Sequence, residues 1–325
     1  MPLTPAGLRF PTTRILLPRT RLAYIHLPNL LNDAKRDRAA RISGYVAVSL
    51  PDELVTLYLL AGEVATATVR DAKGAHALAI PDAIAKVPTE PEYGEICFHE
   101  ADQEQLACMY ATQATPGEEW PEGFSPQDPA VLFPYLMSQT FDGVLEIIAN
   151  DQVNYLVFKN GTVARAFLTS AHHGTVVDRV AKLFARESRV AELALRRWST
   201  LPVLQVQASP ALVHAYRELT TSLVQRLVES GRDSAPAIAE HARQNLLSTH
   251  PVLDAFTLSG RASKEPIADT ECLTTGVAAW IREVMWAAID HDATSPEELF
   301  RELTWDRRHM FQSAGLYDRV PWKVM

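Results

Sequence analysis

Three groups of side chains in this sequence carry the residue types that catalysis and metal binding use. His99-Glu100-Ala101-Asp102 sets an imidazole beside two carboxylates, the ingredients of a general acid–base or metal site. The stretch falls where a hairpin turn is expected, and polar residues are the ordinary occupants of a turn. It has no positioned partner, so by itself it does not define a site. His172-His173-Gly174 follows a predicted strand and precedes a predicted helix, where a helix N-terminus could hold an anion or a metal. No nearby Cys, His or Glu completes a ligand set there. Cys97, Cys108 and Cys272 are odd in number and fit no zinc spacing. They read as reduced, partly buried thiols, with a Cys97–Cys108 bridge between paired strands as the alternative.

Two further groups could recognise a partner. Glu297, Glu298, Arg301, Glu302 and Asp306 fall on one predicted helix and read as a solvated face, with Glu297 and Arg301 spaced to pair. The tail that follows combines aromatic and basic residues. Trp305, Arg307, Arg308, Tyr317 and Trp322 are the interaction candidates, because Trp, Tyr and Arg are enriched at interface hot spots. The same aromatics could instead fold back and seal a core. Phosphate-loop, dinucleotide, nucleophile-elbow and zinc-protease motifs are all missing from the sequence, so no catalytic residue, cofactor or metal is expected.

The elements that must position these residues belong to a globular chain. Its 325 residues are 47% apolar and 22% charged, enough for two or three domains with packed cores. A net charge of -8 argues against a general nucleic-acid binder, which needs a basic face to neutralise phosphates. Pro2, Pro5 and Pro11 interrupt the N-terminus, and no apolar run approaches the length of a membrane helix, so neither a signal peptide nor membrane insertion is expected. A cytoplasmic location follows from these features and from the reduced thiols.

The dominant feature is an internal repeat. Gly44 to Thr68 aligns without a gap to Gly143 to Phe167, an offset of 99 residues. Gly44/Gly143, Asp52/Asp151, Leu57/Leu156, Gly62/Gly161, Val64/Val163, Ala65/Ala164 and Ala67/Ala166 are identical. Each copy reads as a three-stranded meander, and Asn160-Gly161 is a strong type I′ hairpin signal. The Ala67/Ala166 match marks close packing. Helices are predicted before each copy (30–41 and 130–139) and after it (80–86 and 175–185). Two closing strands are expected in each unit, at 95–99 with 106–112 and at 190–196 with 203–208. The organisation is therefore an N-terminal extension (1–20), a first α+β unit (21–114), a linker (115–129), a second α+β unit (130–208) and a helical C-terminal region (209–325).

The glycine, the β-run, the Asn-Gly-type turn and the Val-x-x-Ala ending resemble the bacterial PATAN domain. In the second unit Gly143, Leu145, Phe158, Asn160, Gly161, Val163 and Ala166 match that family's pattern. In the first, Gly44, Val46, Leu59, Gly62, Val64 and Ala67 match, with Ala61 in place of the Asn. The resemblance covers about two-thirds of the chain. It implies bacterial signalling scaffolds, often tied to receiver or small-GTPase regulatory systems. No receiver signature or P-loop accompanies it here.

From Ser209 the apolar period becomes helical, with Ser209 as N-cap, Pro210 in the first turn and Gly231 as the stop. Further helices are expected at 236–247, at 270–289, and from a capping box at Ser295-Pro296-Glu297-Glu298 to near Gly315. The fold class expected is α+β, two tandem units of antiparallel strands with flanking helices followed by a helical domain. The function expected is a non-enzymatic adaptor or signalling scaffold with a protein partner. The alternatives are a small-ligand sensor or enzyme with a pocket between the repeated units, and a structural subunit of a larger assembly. Homo-oligomerisation is left open.

Overall fold

The computed structural model describes residues 7–36, 41–89, 92–170, 174–185, 193–258, 265–288 and 295–322. The protein is mixed α+β, with two antiparallel sheets and a helical C-terminal part. The chain divides into two compact units, Met1–Gln205 and Val206–Met325, and the first contains both copies of the repeat.

In the first unit the chain runs β1 (Arg14–Arg21), α1 (Leu27–Arg36), β2 (Gly44–Ser49), β3 (Leu54–Leu60), β4 (Glu63–Asp71), β5 (Gly74–Leu78), α2 (Ile80–Ala85), β6 (Glu95–Glu100) and α3 (Gln103–Ala114). It continues through α4 (Pro129–Ser138), β7 (Gly143–Ala149), β8 (Gln152–Lys159), β9 (Thr162–Phe167), α5 (Val176–Phe184) and β10 (Ala194–Trp198). The strand orders are β1-β6-β2-β3-β4-β5 and β10-β7-β8-β9. The second sheet thus repeats the central four strands of the first.

The repeat extends to the register. Gly44 pairs with Leu59 as Gly143 pairs with Phe158, and Leu57 pairs with Ala67 as Leu156 pairs with Ala166. The bulge between Tyr58 and Leu59 recurs between Val157 and Phe158. The matched glycines have matched reasons. A Cβ on Gly44 would lie 2.1 Å from the His99 carbonyl oxygen, and one on Gly143 would lie 1.9 Å from that of Trp198. At the turns Gly62 (φ +84°) and Gly161 (φ +73°) need left-handed backbone. Each also passes under a helix end, where a Cβ would meet the Ala34 carbonyl oxygen at 2.3 Å or Met137 Cα at 2.6 Å. Asn160 takes φ +50°, as the type I′ turn requires, and Ala61 takes φ +50° in the same slot without an asparagine's tolerance for it. The amide of Asn160 donates to Asp142 Oδ1 at 2.6 Å, and that of Ala61 donates to Ser43 Oγ at 3.4 Å.

Side chains alternate across each sheet. The outer face of the first sheet, including Val46, Val48, Leu57, Ala67 and Val69, packs with Leu27 of α1 and Ala83 of α2. The outer face of the second, including Leu145, Ile147, Leu156 and Phe158, packs with Leu132 and Leu136 of α4 and with Leu183 and Phe184 of α5. Ala166 lies partly buried against that cluster. The two inner faces share a third cluster with Leu106, Cys108, Met109 and Tyr110 of α3, which also takes in Leu8 and Phe10.

Several expectations are corrected. Residues 106–112 form the middle of α3 rather than a strand. Eight of its residues are buried, including Leu106, Ala107, Cys108 and Met109 in succession, so it has no amphipathic period to read. Residues 203–208 are irregular rather than a strand. The strand expected at 190–196 is present as β10 from Ala194, and its expected first residues, 190–192, lie outside the described residues. The N-terminal extension supplies edge strand β1, paired to β6, and the short strand β5 extends the other edge. Cys97 on β6 and Cys108 on α3 are both free thiols, as is Cys272, so the bridge is not formed.

The second unit comprises α6 (Pro210–Glu229), α7 (Ala235–Leu246), α8 (Thr270–Ala288), α9 (Pro296–Thr304) and α10 (Arg308–Ser313) around one core. Ser209 Oγ caps α6 by accepting from the Leu212 amide at 3.2 Å. Gly231 (φ +83°) ends that helix in a Schellman turn, with the Arg232 amide on the Leu227 carbonyl at 3.1 Å. The last helix is not continuous. A 3₁₀ turn at Trp305–Arg307 separates α9 from α10. Ser295 is the N-cap of α9, but its side chain makes no capping hydrogen bond, so the expected capping box is not formed.

Candidate functional site

The residues singled out as chemical in the sequence are mostly committed to structure. His99 is the penultimate residue of β6, stacked on Tyr45 with ring centroids 5.3 Å apart. Burial, with a smaller contribution from the Arg19 charge, lowers its pKa below that of an ordinary histidine. Glu100 pairs with Arg14 at 2.8 Å. Asp102 is the N-cap of α3, accepting from the Gln105 amide at 2.8 Å and pairing with Arg165 of β9 at 2.7 Å. The stretch is therefore a strand-to-helix junction rather than a hairpin turn; Glu100 and Asp102 have separate ion-pair partners, and His99 Nδ1 is buried with no hydrogen-bond partner among the described residues. His172 and His173 lie outside the described residues. Among the described residues no group of three potential metal ligands occurs.

Two places remain, one on the surface and one inside. The surface place is the corner between α9 and α10. Trp305 is 64% exposed there and borders a shallow groove with Glu298, Arg301, Glu302 and Asp306. The corner is fastened to α6 by Arg226–Glu302 at 2.5 Å and by an ion pair between Arg307 and Glu218. Glu302, rather than Glu297, thus makes the charged contact of this helix, and it reaches across to another helix. Arg308 is exposed, and Tyr317 is half-buried with its ring edge on Phe300 at 6.0 Å. Trp322 is buried, 5.7 Å from the Phe300 ring, and closes the core of the unit. The tail therefore divides. Trp305 and Arg308 face out, Arg307 is tied into an ion pair, Tyr317 lies between, and Trp322 folds back. Trp286 on α8, 62% exposed, is a second outward tryptophan that the sequence pattern did not single out.

The interior place lies between the two sheets. Thr56 and Tyr58 of β3, Thr68 and Arg70 of β4, Thr112 and Gln113 of α3, and Glu146 and Tyr155 of the second sheet are all buried. Tyr58 and Thr68 share a hydrogen bond at 3.1 Å, and Thr68 Oγ1 donates to Gln113 Oε1 at 3.1 Å. Burial raises the Glu146 pKa. Arg70, Arg196 and the Thr112 hydroxyl, itself committed to the Met109 carbonyl at 3.2 Å, pull it down by less. Burial also pushes the Tyr155 phenol well up, reinforced by the Glu146 charge. Sequence reading missed this cluster, although one charge in an otherwise apolar strand, Val144 to Ile148, was a visible sign.

No protein-family model, curated protein or solved structure matches this chain. Among the described residues no helix is long and apolar enough to cross a membrane.

Proposed function

We propose that this protein is a non-enzymatic adaptor or signalling scaffold of a bacterial regulatory pathway. In this reading it acts in the cytoplasm, carries tandem PATAN-like units, and binds a protein partner through the α9–α10 corner of its C-terminal unit. The observation that carries the reading is the exposed Trp305 beside a charged groove, on a corner held by two ion pairs to α6. Such a surface loses little freedom on binding, because the backbone under the tryptophan is already fixed. A large flat ring amid mixed charges is the usual composition of an interface hot spot with its polar rim. The chemistry-bearing residues of the sequence support the same reading, since His99, Glu100 and Asp102 each serve the fold.

The test is capture of the full chain from its native cells, followed by a binding assay with each purified candidate partner. A partner bound by the wild type, lost with Trp305→Ala and kept with His99→Ala is the expected result. Binding lost only in the histidine variant would overturn the proposal.

A further inference from the structure

Arginine on an aromatic ring is a recurring contact in this chain, and at three places a carboxylate holds the same guanidinium. Arg197 stands 4.9 Å from the Trp120 ring centroid and pairs with Glu118 at 3.6 Å. Arg165 stands 5.1 Å from that of Phe167 and pairs with Asp102 and with Glu104, each at 2.7 Å. Arg217 stands 5.9 Å from that of Phe256 and pairs with Glu265 at 2.6 Å. A ring and a carboxylate hold a guanidinium in complementary ways, through its planar cation on the negative face of the ring and its N–H groups on the oxygens.

The α9–α10 corner has the ring and the carboxylates without the arginine. Glu298, Glu302 and Trp305 follow one another at helical spacing through α9 and into the turn after it, and Asp306 comes next in the 3₁₀ turn. With Arg301 they line a groove of about 550 Å³, room enough for a long side chain. Glu302 is committed to Arg226. Among the described residues Glu298 and Asp306 make no ion pair, and no guanidinium stands over the Trp305 ring. Setting the Glu302–Arg226 pair aside leaves two carboxylates against Arg301, an excess of negative charge around an exposed indole that a cation complements. An acidic side chain would be repelled there, and an apolar one would desolvate the carboxylates without replacing their water.

We infer that the protein partner seats an arginine on Trp305, an assignment that rests on the reading of this corner as the partner-binding surface. The guanidinium lies on the indole and donates to Glu298 and Asp306. Arginine suits the groove better than lysine, because its planar cation stacks on a ring and donates from a fork, whereas an ammonium is a strongly hydrated point charge.

The test is NMR titration of the full chain, read at the Trp305 indole N–H, with short capped glycine peptides that carry a single central Arg, Lys, Leu or Glu. The Arg peptide should shift Trp305 saturably and bind at least about 5-fold more tightly than the Leu and Glu peptides. Trp286, 62% exposed on α8, reports the general attraction of a chain of net charge -8 for cations, and its indole should move far less. Glu298→Gln combined with Asp306→Asn should weaken the Arg peptide about 3-fold or more, and Arg301→Gln, which removes the groove's own cation, should strengthen it about 2-fold. All three side chains are exposed, so these variants should keep the thermal midpoint of the wild type. Equal binding of the Arg and Glu peptides, equal shifts at Trp286, or an Arg peptide indifferent to the paired carboxylate variant would overturn the inference. A Lys peptide bound as tightly as the Arg peptide would overturn the choice of arginine. A native partner lost with Trp305→Ala but fully held by the carboxylate variant would keep the corner as the binding surface and remove arginine from it, whereas a native partner held by Trp305→Ala would remove the surface itself.

Discussion

Replacing Gly143 with alanine tests the duplicated architecture at its tightest point. Gly143 opens β7 at φ +152°, and its missing Cβ would sit 1.9 Å from the Trp198 carbonyl oxygen and 3.1 Å from Phe141 Cζ. An ordinary carbon–oxygen contact is about 3.2 Å, so β7 and β10 must separate by about 1.3 Å at this end. The retreat pulls on the Val144–Trp198 pair and on the buried Trp198 side chain, whose Nε1 donates to the Thr115 carbonyl at 3.2 Å. Backbone strain costs about 1 kcal/mol, and weakened strand hydrogen bonds and the disturbed tryptophan cost about 2–3 kcal/mol more. The expected loss is about 3–4 kcal/mol, read as a lower urea midpoint by tryptophan fluorescence on the full chain. Gly44→Ala should behave alike, because its Cβ would meet the His99 carbonyl oxygen at 2.1 Å. A loss below about 1 kcal/mol at either position would refute the close-approach reasoning.

Three other outcomes follow from the same physics. Ala61→Asn should raise stability by about 0.5–1 kcal/mol in urea denaturation, since asparagine tolerates the left-handed conformation that Ala61 occupies and is the residue at the equivalent position 160. Trp322→Ala should destabilise the C-terminal unit by about 3–5 kcal/mol, seen as an early thermal transition, because the ring is buried against Phe300. The two hydrogen bonds from Arg243 hold Glu240 down to about 2, below the ordinary value of 4.5, so its stabilisation is complete above that value and fades as pH falls towards about 2. The Glu240 carboxylate is 44% exposed and screened, so Glu240→Gln should cost only about 1 kcal/mol near neutral pH and progressively less in acid, measured by urea midpoints across pH.

The repeat was legible because its signals are local: a glycine that only a close strand crossing demands, a turn that needs positive φ, and two-residue alternation. Those features predict six of the ten strands among the described residues, and their pairing. What stayed hidden depends on tertiary contact. Helix α3 is surrounded by both sheets and so has no polar face. Its one readable signal was Asp102 followed by Gln105, whose amide the aspartate caps. Strand β1 is a bulged edge, with proline at position 18, that pairs only through β6. The Trp305 corner was half legible, since residue type named the tail but not which aromatic faces outward. Arg70 and Glu146 lie 76 residues apart in sequence, and only the facing of the two sheets brings them into one interior.

The most direct test of the proposed function is a quantitative comparison of partner binding by the wild type and Trp305→Ala, both as full chains with matched thermal stability. An exposed ring should be removable at a stability cost within about 0.5 kcal/mol, whereas loss of a hot-spot tryptophan should weaken binding by about 2 kcal/mol or more, roughly 30-fold. That combination is what the adaptor reading predicts. A partner held equally by both proteins would contradict it.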